Sequence, residues 1–96
     1  MDMTPLQRHY AAVAALGCIV CRQMDLGPTQ AQIHHPWGRK NGNERKVLPL
    51  CYTHHQAGVN NKFIVSVHPW TREFEKRYGT QAELLKQVDE LLRRVA

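Results

Sequence analysis

The sequence predicts a small α+β domain over residues 1–96, with two short strands set between an N-terminal helix and two C-terminal helices, and a staple at its centre. Three observations predict it. The chain has 96 residues, and a domain of that size buries only about 60–65% of its unfolded surface, so packing alone leaves a thin margin. All three cysteines and five of the six histidines fall between Cys18 and His68. Apolar residues repeat at helical spacing at both ends of the chain, but only in short runs in the middle.

Taken in order, Thr4-Pro5-Leu6-Gln7 reads as a helix start, with Thr4 at the N-cap, Pro5 at the first helical position and Gln7 closing a capping box. Leu6, Tyr10 and Val13 then share one face, and Gly17 supplies the left-handed residue that ends the helix. Arg22 to Pro28 reads as loop, with Gly27-Pro28 as its turn. Thr29–His35 is the first expected strand, ended by Pro36. Pro36–Arg45, with two glycines and two asparagines, is a long basic loop, and Lys46–Leu50 is the second strand, interrupted by Pro49. Cys51–Ala57 gives one or two helical turns before Gly58. Between Asn60 and His68, Ile64–Val67 is the extended piece. Pro69 opens a helix through Tyr78, which Gly79 closes. Thr80-Gln81-Ala82-Glu83 is a second capping box, and Leu84, Leu85, Val88, Leu91, Leu92 and Val95 make an apolar stripe that reads as core packing. Trp37 and Trp70 are read as core aromatics, and His9 as surface.

Composition narrows the function. No apolar run is long enough to cross a bilayer and no basic-then-apolar leader is visible, so a cytoplasmic protein without a membrane partner is expected. An odd count of three cysteines argues against a disulfide scaffold. The net charge is +5. From His34 to Lys62 there are five cations (Arg39, Lys40, Arg45, Lys46, Lys62) against one anion (Glu44), a local +4 beside the histidines. Such a block points to a polyanion, and nucleic acid is the default partner.

Cys18-x2-Cys21 together with Cys51 and one of His54 or His55 makes two short-spaced ligand pairs, the pattern of a closed tetrahedral structural zinc that contributes folding free energy directly. A C2H2 finger is excluded. His34 lies at the third-ligand distance, but the fourth ligand should follow on the same helix, and His35-Pro36-Trp37-Gly38 cannot form one. A thiol-redox role for Cys18 and Cys21 lacks the βαβ setting and leaves the histidines without a task. His34, His35, His68 and the histidine spared by zinc remain for a second site. Neighbours in a strand face opposite ways, so His34 and His35 suggest a division of labour, one holding a metal ion and one serving as general base.

Cys18-Ile19-Val20-Cys21, Ile33-His34-His35 and Leu50-Cys51-Tyr52-Thr53-His54-His55 resemble the HNH superfamily. More narrowly, the order Ala14-Ala15-Leu16-Gly17-Cys18-Ile19-Val20-Cys21, Ile33-His34-His35, Pro49-Leu50-Cys51-x-x-His54-His55, His68-Pro69-Trp70 and Phe74-Glu75-Lys76-Arg77-Tyr78-Gly79-Thr80 is similar to bacteriophage Ref-type, RecA-dependent nucleases, from about residue 11 onward. The resemblance implies a zinc-stapled ββα-metal (HNH) core and a metal-dependent, recombination-linked DNA endonuclease. In a phage-encoded case it would work in the bacterial host cytoplasm. It also implies roles. Cys18, Cys21, Cys51 and His54 would hold structural Zn²⁺. His34 and His55, with His68 as a further metal or phosphate contact, would hold a catalytic Mg²⁺, Mn²⁺ or Zn²⁺, and His35 would be the base. Arg39, Lys40, Arg45 and Lys46 are candidates for DNA-phosphate contacts, and a RecA-type filament is the implied partner. One feature departs from the motif. Arg45-Lys46 stand where an asparagine should position the backbone of the base, leaving Asn41 or Asn43 as substitutes. The rival reading is a non-catalytic zinc module that binds nucleic acid or protein.

Overall fold

A computed structural model of the protein describes residues 2–95. Helix α1 (Pro5–Ala15) begins at the expected capping box: the Gln7 amide donates to Thr4 Oγ1 at 3.1 Å, and the Thr4 amide donates to Gln7 Oε1 at 2.8 Å. It ends at Gly17, whose φ of +77° favours glycine. A Cβ at position 17 would also lie 3.1 Å from the Thr29 carbonyl oxygen, so the close approach of the two segments requires its absence.

The chain then enters a short helix, α2 (Ile19–Gln23), where only a metal knuckle and a loop were expected. The Cys18 sulfur caps it, accepting the Cys21 amide at 3.5 Å, and Ile19 and Val20 go into the core.

Strands β1 (Gln32–His34) and β2 (Leu48–Leu50) form an antiparallel pair, with Gln32 opposite Leu50 and His34 opposite Leu48. Both are shorter than the Thr29–His35 and Lys46–Leu50 spans expected. The Thr29 carbonyl is taken by the Cys18 amide at 3.2 Å, and the Lys46 amide closes a turn onto the Asn43 carbonyl at 3.0 Å, so neither residue is free to extend the ladder. Pro49 sits inside β2 instead of breaking it. In a two-stranded sheet each strand has an outer edge where a missing N–H costs nothing.

Helix α3 (Tyr52–His55) is also shorter than the expected Cys51–Ala57. Its last carbonyls are satisfied from outside: Thr53 accepts from the Ser66 hydroxyl, His54 from the Val67 amide at 2.8 Å, and His55 from the His68 amide at 3.0 Å. This explains why Ile64–Val67 is no strand. Apart from an isolated bridge of Val65 to Asn60, that segment spends its amides on scattered partners: Ile64 donates to the Asn61 side chain, Val65 to the Tyr78 hydroxyl, Ser66 to the Val59 carbonyl and Val67 to the end of α3.

Helix α4 (Thr71–Tyr78) starts two residues after Pro69, with Trp70 as its N-cap. Helix α5 (Gln81–Val95) follows a reciprocal box between Thr80 and Glu83. Its stripe buries Leu84 and Val88 fully and Leu85, Leu91 and Leu92 in part, while Val95 is 70% exposed. Trp37 and Trp70, expected in the core, are 44% and 38% exposed; the core is built from smaller aliphatics around Phe74. No helix among the described residues is long and apolar enough to cross a membrane.

Candidate metal centre

Two groups of ligand side chains form in this frame. The first joins α2 to α3: the ligand atoms of Cys18, Cys21, Cys51 and His54 all lie within 4.8 Å of one another. Cys21 Sγ and Cys51 Sγ are 3.8 Å apart, and His54 Nδ1 lies 3.2, 3.6 and 3.7 Å from the sulfurs of Cys51, Cys21 and Cys18. An ion with Zn–S of about 2.3 Å and Zn–N of about 2.0 Å makes tetrahedral edges of about 3.8 Å (S to S) and about 3.5 Å (S to N). The four side chains therefore match the size and donor chemistry of a structural zinc site. Burial pushes the Cys18 thiol up to about 12 and raises that of Cys21, so these sulfurs do not ionise unaided near neutrality and need a cation to hold them as thiolates. The His54 ring is kept neutral by burial, and it lies edge-on to Tyr78 at 5.4 Å.

The second group comprises His34, His55 and His68, again with ligand atoms within 4.8 Å of one another. His34 ends β1, His55 ends α3, and His68 is delivered by the segment that caps α3. Its amide bond to the His55 carbonyl fixes their neighbourhood. The ring centroids are 5.0 to 5.2 Å apart. His34 and His55 are buried and His68 is exposed, so the group opens to solvent on one side. Burial holds His34 below the ordinary histidine range. Burial, then the neighbouring His34 and His68, brings His55 down to about 4. Both rings are thus neutral at pH 7, the form that can ligate a metal.

Two glutamines orient these rings. His34 Nε2 is 2.6 Å from Gln81 Oε1, and His55 Nδ1 is 2.8 Å from Gln32 Oε1. An amide oxygen only accepts, so each of those ring nitrogens carries the proton and the other nitrogen keeps its lone pair for a cation. Gln32 and His34 are two apart in β1 and so share a face. Neither glutamine was singled out from the sequence. The spacing of Gln32 to His34 was visible there, whereas Gln81 read only as part of a capping box.

His35 stands apart from this triad. It is the first residue beyond β1, and its ring turns toward α1, with Nε2 3.0 Å from the Tyr10 hydroxyl. Burial, then the Arg39 guanidinium, lowers its pKa below the ordinary value. Arg39, Lys40, Arg45 and Lys46 are all exposed along the loop between the strands, in the company of the exposed Trp37. Asn43 turns its amide to the Trp37 carbonyl at 3.4 Å. His9, expected on the surface, is half-buried and meets the Arg45 carbonyl at 2.8 Å.

A small α+β frame with a Cys3His set and an adjoining histidine cluster defines a class of compact domain built around metal-ligating side chains. A family model described as "Recombination enhancement, RecA-dependent nuclease" matches residues 4–93, and the chain belongs to that family. Its class is therefore that of a nuclease linked to recombination.

Proposed function

We propose that the protein is a metal-dependent DNA endonuclease of the HNH (ββα-metal) type, a single domain stapled by Zn²⁺ through Cys18, Cys21, Cys51 and His54. The observation that carries this reading is the convergence of His34, His55 and His68, beside the antiparallel strand pair and the short α3, in a chain whose family is a nuclease family. Three imidazoles with an open side match a catalytic rather than a structural metal site. Among the described residues no carboxylate joins the group, and an all-imidazole set suits Zn²⁺ better than Mg²⁺. A divalent ion held there would supply Lewis-acid stabilisation to the phosphate and the leaving oxygen.

The rest of the chemistry falls to the chain itself. His35, neutral at pH 7, accepts a proton from water. The water oxygen forms the new bond to phosphorus as the P–O bond to the leaving sugar oxygen breaks, and that oxygen takes up a proton from solvent. Arg39, Lys40, Arg45 and Lys46 hold flanking phosphates without reading sequence, and the Arg39 charge is felt at the base, whose pKa it helps to lower. The family description supports a nuclease that works with a RecA-type recombinase on DNA; we place it in the bacterial cytoplasm, with a phage or prophage as the source of the gene.

The test is elemental analysis together with a nicking assay, run with and without chelator and with and without a recombinase filament. Two metal sites per chain are expected. His35→Ala is expected to lower cutting by about 100- to 10,000-fold while leaving metal content unchanged. Undiminished cutting by His35→Ala would refute the base assignment. A single metal site and no cutting under any condition would favour a non-catalytic zinc module.

A further inference from the structure

Arg45-Lys46 stand where the motif asparagine should lie, and the Asn43 amide is turned to the Trp37 carbonyl, yet the His35 ring is not left unheld. We propose that Tyr10 is a positioning residue for His35, carrying the grip of the Glu44 backbone carbonyl to the ring through its hydroxyl. The inference rests on the reading of His35 as general base.

The direction of each bond follows from the inventory of donors. The Tyr10 hydroxyl lies 2.6 Å from the Glu44 carbonyl oxygen, which can only accept, so the hydroxyl proton is committed there. The Tyr10 hydroxyl oxygen is also 3.0 Å from His35 Nε2, and it is left with lone pairs alone to offer. Nε2 must then donate, and Nδ1 is the atom that keeps a lone pair for the proton of the attacking water. An unrestrained imidazole has two neutral tautomers and can flip its ring. This chain of two bonds selects one of each. Edge-on packing of the two rings, with centroids 5.5 Å apart and planes at 90°, adds a steric restraint.

The far end of the chain is itself anchored. His9, the preceding residue of α1, meets the next carbonyl along, that of Arg45, at 2.8 Å, so adjacent side chains of one helix grip adjacent carbonyls at the root of the basic loop. Helix α1 thereby ties the base to the segment that carries the candidate phosphate contacts. From sequence, Tyr10 was legible only as one of three apolar positions on the first helix.

The test uses Tyr10→Phe in the zinc-loaded full chain, since phenylalanine keeps the ring and its packing. In the parent, proton NMR should show a slowly exchanging His35 ring N–H on Nε2, assigned by its absence in His35→Ala. Tyr10→Phe should lose that signal. It should also lower kcat by about tenfold to a hundredfold with KM for DNA and zinc content unchanged. Loss of the N–H signal with an unchanged kcat would overturn the positioning role, as would a reduced kcat with the signal intact. The two readings fail separately. If His35→Ala cuts like the parent, the base assignment falls, whereas a persistent ring N–H in Tyr10→Phe overturns the link to Tyr10 whatever the nuclease assay shows.

Discussion

At the scale of single residues, the histidine cluster depends on partners that a motif does not contain. Gln81 and Gln32 take the spare ring protons of His34 and His55, and removing such a partner typically weakens metal affinity by about 10- to 100-fold. Gln81→Ala should therefore loosen the outer ion by that factor in a competition titration while leaving the Cys3His zinc in place. Equal loss at both sites would contradict the assignment of Gln81 to the triad. The cysteines and histidines themselves were legible because chemistry restricts them: few residue types bind metal, and their spacing survives as a pattern. Spacing alone left His54 and His55 interchangeable as the fourth member of the cysteine set. The geometry separates them, since His54 turns Nδ1 to the three sulfurs while His55 turns its Nδ1 to Gln32. Tyr10, Gln32 and Gln81 stayed hidden because tyrosine and glutamine serve many ordinary ends.

At the scale of elements, the helices were easier to read than the strands. The two capping boxes carry local signals, and both helices begin where those signals fall. The first strand came out shorter than expected, and Ile64–Val67 formed none, where distant partners intervene: the Thr29 carbonyl is claimed by Cys18 and the Val67 amide by His54. No local propensity reports such competition. The same logic isolates Gly17 as the joint on which α1 turns toward the Cys3His set. Gly17→Ala would place a Cβ 3.1 Å from the Thr29 oxygen at a φ of +77°, a conformation that costs a non-glycine residue about 1–2 kcal/mol before any clash. Denaturant unfolding should show a loss of at least about 1 kcal/mol. Thr4→Ala, which removes only the side-chain cap of α1, should cost about 1 kcal/mol and leave metal binding untouched.

At the scale of the whole molecule, a core of small aliphatics around Phe74 adjoins the Cys3His set, which links α2 to α3. Chains that depend on such a staple unfold when the ion is removed. Circular dichroism should record loss of helix on treatment with a strong zinc chelator, and Cys51→Ser should show a lowered Tm with incomplete zinc. A metal-free chain with an unaltered melting curve would show that the aliphatic core suffices. The overall class, α+β with helices flanking a short strand pair, was accessible from the alternation of periodic and irregular segments. The route of residues 66–68 along α3 was not, because it follows the unmet carbonyls of a four-residue helix.

His54 and His55 are consecutive, one facing the sulfurs and the other the solvent-open triad, so a single peptide unit joins the two clusters. This gives demetallation a preferred order. A weak chelator should strip the exposed cluster first and silence cutting in a chain that still melts normally; a stronger one, by pulling His54 loose, must also displace His55. Activity should vanish before structure does, and restoring the outer ion alone should never revive a chain that has lost the inner one.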